Sequence, residues 1–285
     1  MPISPLRSIA IILGAAFLTV NLAGCITAQT NPTPSRPGGT QPGKISLSSA
    51  QANKIGRKIW QNECGGTVEG LTSWNDGEGF ASLGIGHFIW YPPGKNGPFD
   101  ESFPKLLAFY RANGIGLKGW LEPGSDCPWR TKAEFDRDRS SPRMRELRRL
   151  LADTVALQTE FIVARLQSAL PKMQAAAPAA DRQRVAANFY AVAESSQGVY
   201  ALIDYVNFKG EGVLASERYN GQGWGLLQVL QEMRGAPRGA AAATEFSRAS
   251  TRVLERRVRN SPPARKESRW LAGWRNRCAT YGRPF

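Results

Sequence analysis

Apolar residues at Ile55, Ile59 and Trp60 recur at helical spacing, and the pattern stops at Glu63 with Gly65 and Gly66 directly behind it. This predicts a helix whose last turn carries a carboxylate. Two strand-like runs follow, Leu71 to Trp74 and Phe80 to Ile85, joined by Asn75-Asp76-Gly77-Glu78-Gly79. Those turn residues between the two runs predict a β-hairpin. Pro92 to Pro98 reads as a loop. Ser102 to Asn113 carries Phe103, Leu106, Leu107 and Phe109 on one stripe and reads as a short helix. Leu117 to Trp129, rich in Gly and Pro, reads as a loop with Trp120 and Trp129 near its ends.

The longest helical pattern runs from Pro142 to Leu170, with Leu147, Leu150, Leu151, Val155, Ile162, Val163 and Leu166 at spacings of three and four; Pro171 and an Ala-rich segment end it. It is expected to form the spine between a small lobe bearing the hairpin and a larger helical lobe. Asp181 to Ser196 follows as a helix with Asp181 as N-cap and Val185, Phe189 and Val192 inward, and Gln197-Gly198 breaks it. Tyr200 to Gly210 is a largely apolar helix, residues 216–223 a polar loop, and Trp224 to Met233 another buried helix. Ala240 to Asn260 is a basic helix, and the tail around Trp270, Leu271 and Trp274 packs as a last helical turn or two. With strands only in the hairpin, the fold class is α+β, mainly helical.

Residues 1–24 stand apart. Arg7 precedes an apolar run, Ile9 to Leu22, that is short for a membrane span. It ends in Leu22-Ala23-Gly24-Cys25, which resembles a bacterial lipobox. The resemblance implies cleavage before Cys25, a lipid anchor on its thiol, and, with Ile26 rather than Asp behind it, an outer-membrane address facing the periplasm. A plain secretory signal is the other reading, and either one takes the chain out of the cytoplasm. Residues 25–43, dominated by Pro, Thr, Gly and Gln, read as a flexible tether, and 44–285 as one domain. The formal net charge is +14, and from Arg234 onward thirteen Arg or Lys face three acids. That charge calls for an anionic partner such as lipid headgroups or wall polymer, or is a solvated basic face. The address argues against nucleic acid. Cys64, Cys127 and Cys278 remain; one disulfide and one free thiol is the simplest arithmetic in an oxidising compartment, with the pairing open.

The chemistry concentrates between Lys58 and Tyr91, where four acids, Ser82 and the chain's one His surround the predicted hairpin. Glycoside cleavage needs a protonated carboxyl at the leaving oxygen. Glu63, ending its helix, is the expected general acid. Desolvation by Trp60, Trp74 and Phe80 is expected to keep it protonated, because the helix dipole contributes under about 1 kcal/mol. Glu69 is its rival, reached only through a loop. Asp76, or Glu78 in the same turn, would supply the second carboxylate; each acid also makes sense as a solvated turn residue. Should no second carboxylate reach the far face of the sugar, one Glu acting as acid and then base gives an anhydro product. His87 is read as a hydrogen-bonding residue beside the substrate, and a nucleophilic Cys64 would have only His87 as its base. Tyr219, Asn220 and Gln222 could meet acetamido groups, and Trp120 and Trp129 could stack on sugars or simply pack. One His excludes a two-His zinc site; no metal or cofactor is expected.

From Asp76 to His87 the chain reads Asp-Gly-Glu-Gly-Phe-Ala-Ser-Leu-Gly-Ile-Gly-His. This resembles the lysozyme-like superfamily, and among it the phage-type endolysin muramidases. Their helix ends in a Glu and their hairpin carries an Asp and a Thr or Ser before a GIGH-type ending. The resemblance places Asp76 on the family's hairpin Asp, Ser82 on its water-positioning Thr and His87 on its His. Residues 201–212 are similar to the central core helix and its turn, and Arg256-Arg257-Val258 with Trp270 to the closing helices. It implies a lysozyme-like fold and a muramidase that acts as a monomer on peptidoglycan glycan strands. The spacing from Glu63 or Glu69 to the hairpin departs from the family's, and so do the insertion from Pro92 to Trp129 and the long helix. A non-catalytic wall-binding lipoprotein is the competing reading.

Overall fold

The first helix, α1 (Ser49–Cys64), is set by its ends. Ser48 Oγ accepts from Gln51 N at 3.2 Å while Gln51 Oε1 accepts from Ser48 N at 2.9 Å, and Gly65 closes the helix in the left-handed region at φ 64°. The protein is described by a computed structural model over residues 43–285. Cys25 and the segments expected at 1–24 and 25–42 lie outside the described residues.

A short 3-10 turn, Glu69–Leu71, leads into three antiparallel strands, β1 (Thr72–Ser73), β2 (Ala81–Leu83) and β3 (Phe88–Trp90), in the order β1-β2-β3. Ser73 pairs with Ser82 and Ser82 with Ile89. The third strand was not foreseen. The segment Gly84–His87 reverses the chain, with φ +72° at Gly84 and +47° at His87, so Phe88, Ile89 and Trp90 add to the sheet. Helix α2 (Phe103–Ala112) falls where expected, whereas α3 (Lys132–Asp138), capped by Thr131, was unforeseen.

The predicted spine is two helices. α4 (Pro142–Asp153) and α5 (Val155–Ala176) part at Thr154 (φ −112°, ψ 23°). Thr154 Oγ1 binds Leu150 O at 2.7 Å and Tyr110 Oη at 2.6 Å, and the Gln158 amide donates to Leu151 O at 2.6 Å. The Gln158 amide thus serves a backbone acceptor at the break, while Leu150 O keeps its donor Thr154 N at 3.1 Å, although the apolar stripe runs on across it. Pro171 does not end α5: it sits inside the helix, which continues to Ala176. An interior proline costs about 3 kcal/mol, offset by the burial of Leu170 and Met173 beside it, each worth about 1.5–3 kcal/mol.

The remaining helices are α6 (Arg182–Ala193), α7 (Ser196–Lys209), α8 (Leu226–Glu232), α9 (Gly239–Asn260) and α10 (Leu271–Thr280). Gln197-Gly198 opens α7 instead of breaking a helix, because Ser195 Oγ caps Gly198 N at 3.0 Å. Asp181 caps no backbone N–H; its carboxylate binds Arg184 and Gln231, both at 2.9 Å. The loop expected at 216–223 holds a two-stranded hairpin, β4 (Arg218–Tyr219) and β5 (Gln222–Gly223), turning on Asn220 (φ 51°) and Gly221 (φ 74°), the pair a type I′ turn prefers.

The architecture is mainly helical α+β with two small antiparallel sheets. One apolar core runs from Ile45 through the inner sheet face (Leu83, Phe88, Trp90) to Leu254 and Tyr281; α7 is buried along most of its length. Phe80, Ile89 and Tyr91 form a separate cluster with Phe99 on the other sheet face. Cys64, Cys127 and Cys278 are three buried free thiols, correcting the expected disulfide.

Candidate functional site

The last turn of α1 is seated on the β2–β3 turn. Cys64 Sγ lies 3.7 Å from Gly84 O and 3.6 Å from His87 Nε2. The turn is also fixed from behind: Gly84 N donates to Leu71 O at 2.7 Å and Ile85 N to Gln158 Oε1 at 2.9 Å. A Cβ on Gly84 would stand 2.4 Å from Gln158 Oε1, so both φ and space demand glycine there. His87 thereby acts in the turn's anchorage. Burial, with the Glu63 charge second, pushes the Cys64 thiol up to about 12. A thiol so far from ionising is no nucleophile, despite the imidazole beside it.

Glu63 keeps 18% of its side chain exposed, and its Oε1 accepts from Arg277 Nη2 at 3.1 Å. The desolvating partners expected for it are elsewhere. Phe80 belongs to the outer sheet cluster, Trp74 donates its indole N–H to Glu78 O, and Trp60 donates to Thr67 O. Arg277, on α10, is held by Asp204 of α7 through Nε–Oδ2 (2.7 Å) and Nη2–Oδ1 (2.9 Å), and Tyr281 Oη donates to Asp204 Oδ2 at 2.6 Å. Burial alone would lower the Arg277 guanidinium, but the Asp204 hydrogen bonds and charge overcome it and hold the group above its usual value. The Tyr200 hydroxyl, raised by burial and by Asp204, accepts from Asn62 Nδ2 at 2.7 Å. Glu63 Oε2 has no hydrogen-bond partner among the described residues.

A stack of cations and rings backs this group. The Arg257 guanidinium lies 4.0 Å from the Trp224 ring and 5.1 Å from Trp274; Lys209 Nζ lies 3.7 Å from Trp274 and 4.0 Å from Phe208; Arg277 lies 4.5 Å from Phe208. Burial first, and Arg257 second, bring the Lys209 amine down to about 6. Arg257 makes two bonds to Glu267, at 2.8 and 2.9 Å.

The other sequence-derived candidates do not converge on Glu63. Asp76 is 98% exposed at the far end of the hairpin, with Lys132 Nζ at 3.5 Å. Glu78 Oε2 accepts from Asn75 at 3.1 Å, a bond within the turn. Glu69 is exposed in its 3-10 turn with Arg148 as a charged neighbour. Ser82 is buried mid-sheet opposite Ser73 and Ile89, on the face of the outer cluster. Tyr219 Oη donates to Glu267 at 2.9 Å and accepts from Arg265 at 3.0 Å, while Asn220 and Gln222 are exposed around the β4–β5 turn. Trp129 is buried with its indole on Asp138, and Trp120 donates to Glu146, so both pack.

Beside the same turn lies a groove of about 160 Å³, lined in part by Gly86, Asp100, Arg165, Asn207 and Glu211. Burial raises the Glu211 carboxyl, with Lys172 and Arg165 pulling the other way. Sequence reading passed over Arg277, Asp204 and Glu211. The first two reach Glu63 only through pairings across 73 and 214 positions, which no local pattern records. Glu211 had a signal, its place in the Gly210-Glu211-Gly212 turn after α7. Among the described residues no cluster of His, Cys, Asp and Glu could hold a metal ion.

No family model matches the chain, and neither a curated protein nor a solved structure matches it.

Proposed function

We propose that the chain is a lysozyme-like muramidase that cleaves the β-1,4 linkage between MurNAc and GlcNAc in peptidoglycan, with Glu63 as proton donor. One observation carries the reading: Glu63 stands in the last turn of a helix seated on the Gly84–His87 turn, one carboxylate oxygen on Arg277 and the other without a partner among the described residues. Such a group is positioned to hand a proton to a glycosidic oxygen entering beside the turn. Asp204 neutralises Arg277 through two bonds, so Glu63 faces a compensated ion pair instead of a bare cation. Glu69, in solvent, lacks this setting. The 76–87 sequence supports the family, and the lipobox-like Cys25 supports a lipid-anchored address in the cell envelope, within reach of the glycan.

A second reading has an observation in its favour. Asp76 stands in open solvent and Ser82 lies within the sheet, so neither is arranged to restrain a water opposite Glu63. Cleavage by Glu63 alone, as acid and then base, would leave an anhydro end. Purified peptidoglycan digested with the wild-type chain and with Glu63→Gln tests both readings. Release of muropeptides is expected to fall by about a hundredfold or more in the variant, the scale of an acid catalyst's contribution. Product mass separates hydrolysis from the lighter anhydro product. Binding without release by the wild type would instead mean a wall-binding protein, and normal turnover by Glu63→Gln would sink the assignment.

A further inference from the structure

The segment 259–275 gathers exposed cations and turns its one acid inward. Arg259, Arg265, Lys266, Arg269 and Arg275 are exposed, while Glu267 is buried and clamped by Arg257 and Tyr219. That clamp fixes the backbone beside it: Lys266 sits in the left-handed region at φ 50° between two 3-10 turns, and the residues flanking Glu267 face outward. Arg259 and Lys266 have no ion pair among the described residues, and Arg269 lies 4.9 Å from the Trp270 ring. Trp270 itself is 45% exposed, one of three large apolar side chains left in water among the described residues, with the exposed Pro262, Pro263 and Ala264 close by in sequence.

We propose that this segment is a docking surface for an anionic phospholipid bilayer. Cations alone would serve any polyanion. The unburied indole in their midst is what favours a bilayer, since Trp partitions to the headgroup level with its ring toward the acyl chains while Arg and Lys meet the phosphates. The surface spans the end of α9, the two 3-10 turns and the start of α10, and α10 carries Arg277, so docking would hold the Glu63 site at a set height above the membrane. The proposal stands without the enzymatic reading, because it concerns only where the chain rests.

The test uses the chain expected after cleavage, residues 25–285 carrying Cys25→Ser, which lacks both the apolar run at 9–22 and the thiol expected to bear lipid, and compares its binding to phosphatidylcholine vesicles with and without about a quarter phosphatidylglycerol. Tighter binding to the anionic vesicles, weakened by salt, is expected. In the same background Arg259→Gln, Lys266→Gln and Arg269→Gln together should weaken that binding about a hundredfold, close to fivefold per cation. These side chains support no ion pair in the fold, and an unchanged thermal melt verifies that. Lipids brominated in the acyl chain should quench wild-type fluorescence on the anionic vesicles, and Trp270→Phe should lose that quenching. The proposal is overturned if the triple variant binds as tightly as its parent, or if Trp270 is not quenched. It is also overturned if soluble polyphosphate binds equally tightly and strips the chain from vesicles whether or not Trp270 is present, which would make the surface a polyanion site.

Discussion

Lys209 shows what a single side chain can contribute to pH behaviour. It is buried between Phe208 and Trp274, and its amine titrates near 6 in the folded chain against 10.5 ordinarily. Between those values the folded chain has released a proton that the unfolded chain keeps. Stability therefore climbs as pH rises from 6 to 10.5 and is flat, at its lower level, below 6. The ring faces return part of the desolvation cost, about 2 kcal/mol when a cation is held dry. Lys209→Met keeps the volume and removes the amine. At pH 7 it should raise the melting temperature by roughly 2–4 °C for each kcal/mol gained, and the slope between pH 7 and 10 should flatten. Melts of both chains across that range check it, and an unchanged slope would show that the amine is not what titrates.

Between elements, α1 and α5 pack closely enough to require a glycine. At Gly56 a Cβ would stand 2.4 Å from Thr159 Oγ1 and 2.5 Å from Val155 Cγ1. Alanine there gains about 1 kcal/mol of helix propensity, but forcing the helices apart costs about 1–3 kcal/mol. A lower urea midpoint is expected for Gly56→Ala, partly restored by Thr159→Ala. The helices with a clean apolar stripe were legible in the sequence: α1, α2, α6, α8 and α9 lie close to where periodicity put them. The break at Thr154 was not, because the stripe of Leu150, Leu151, Val155 and Ile162 continues across it and only long-range polar contacts reveal the stop. Strand β3 was missed because its turn relies on a histidine at positive φ, which no glycine rule flags. Strands of two residues, β4 and β5, are too short to show an alternation, although Asn220-Gly221 announced the hairpin.

Across the whole molecule, Asp204 joins three helices by holding Arg277 against Glu63 and accepting from Tyr281. Asp204→Asn would strip the partly buried Arg277 of its charged partner on α7 and leave Glu63 as its one carboxylate, at about 1.5–3 kcal/mol of stability. Glu63 would then face Arg277 without the opposing charge that Asp204 supplies. Glycan cleavage should then fall most at neutral pH and recover toward acid, and a pH–rate profile of the folded variant separates this from simple loss of fold. The place of Glu63 in the last turn of α1 was legible from the apolar stripe and the glycines behind it, while its partner was not: the signal for Arg277 is a pairing across 214 positions. That pairing also has a consequence for biosynthesis. Glu63 leaves the ribosome 214 residues before Arg277. A growing polypeptide therefore carries only half of the assembly through most of translation, and the Glu63–Arg277 pair can close only after synthesis has moved past α10.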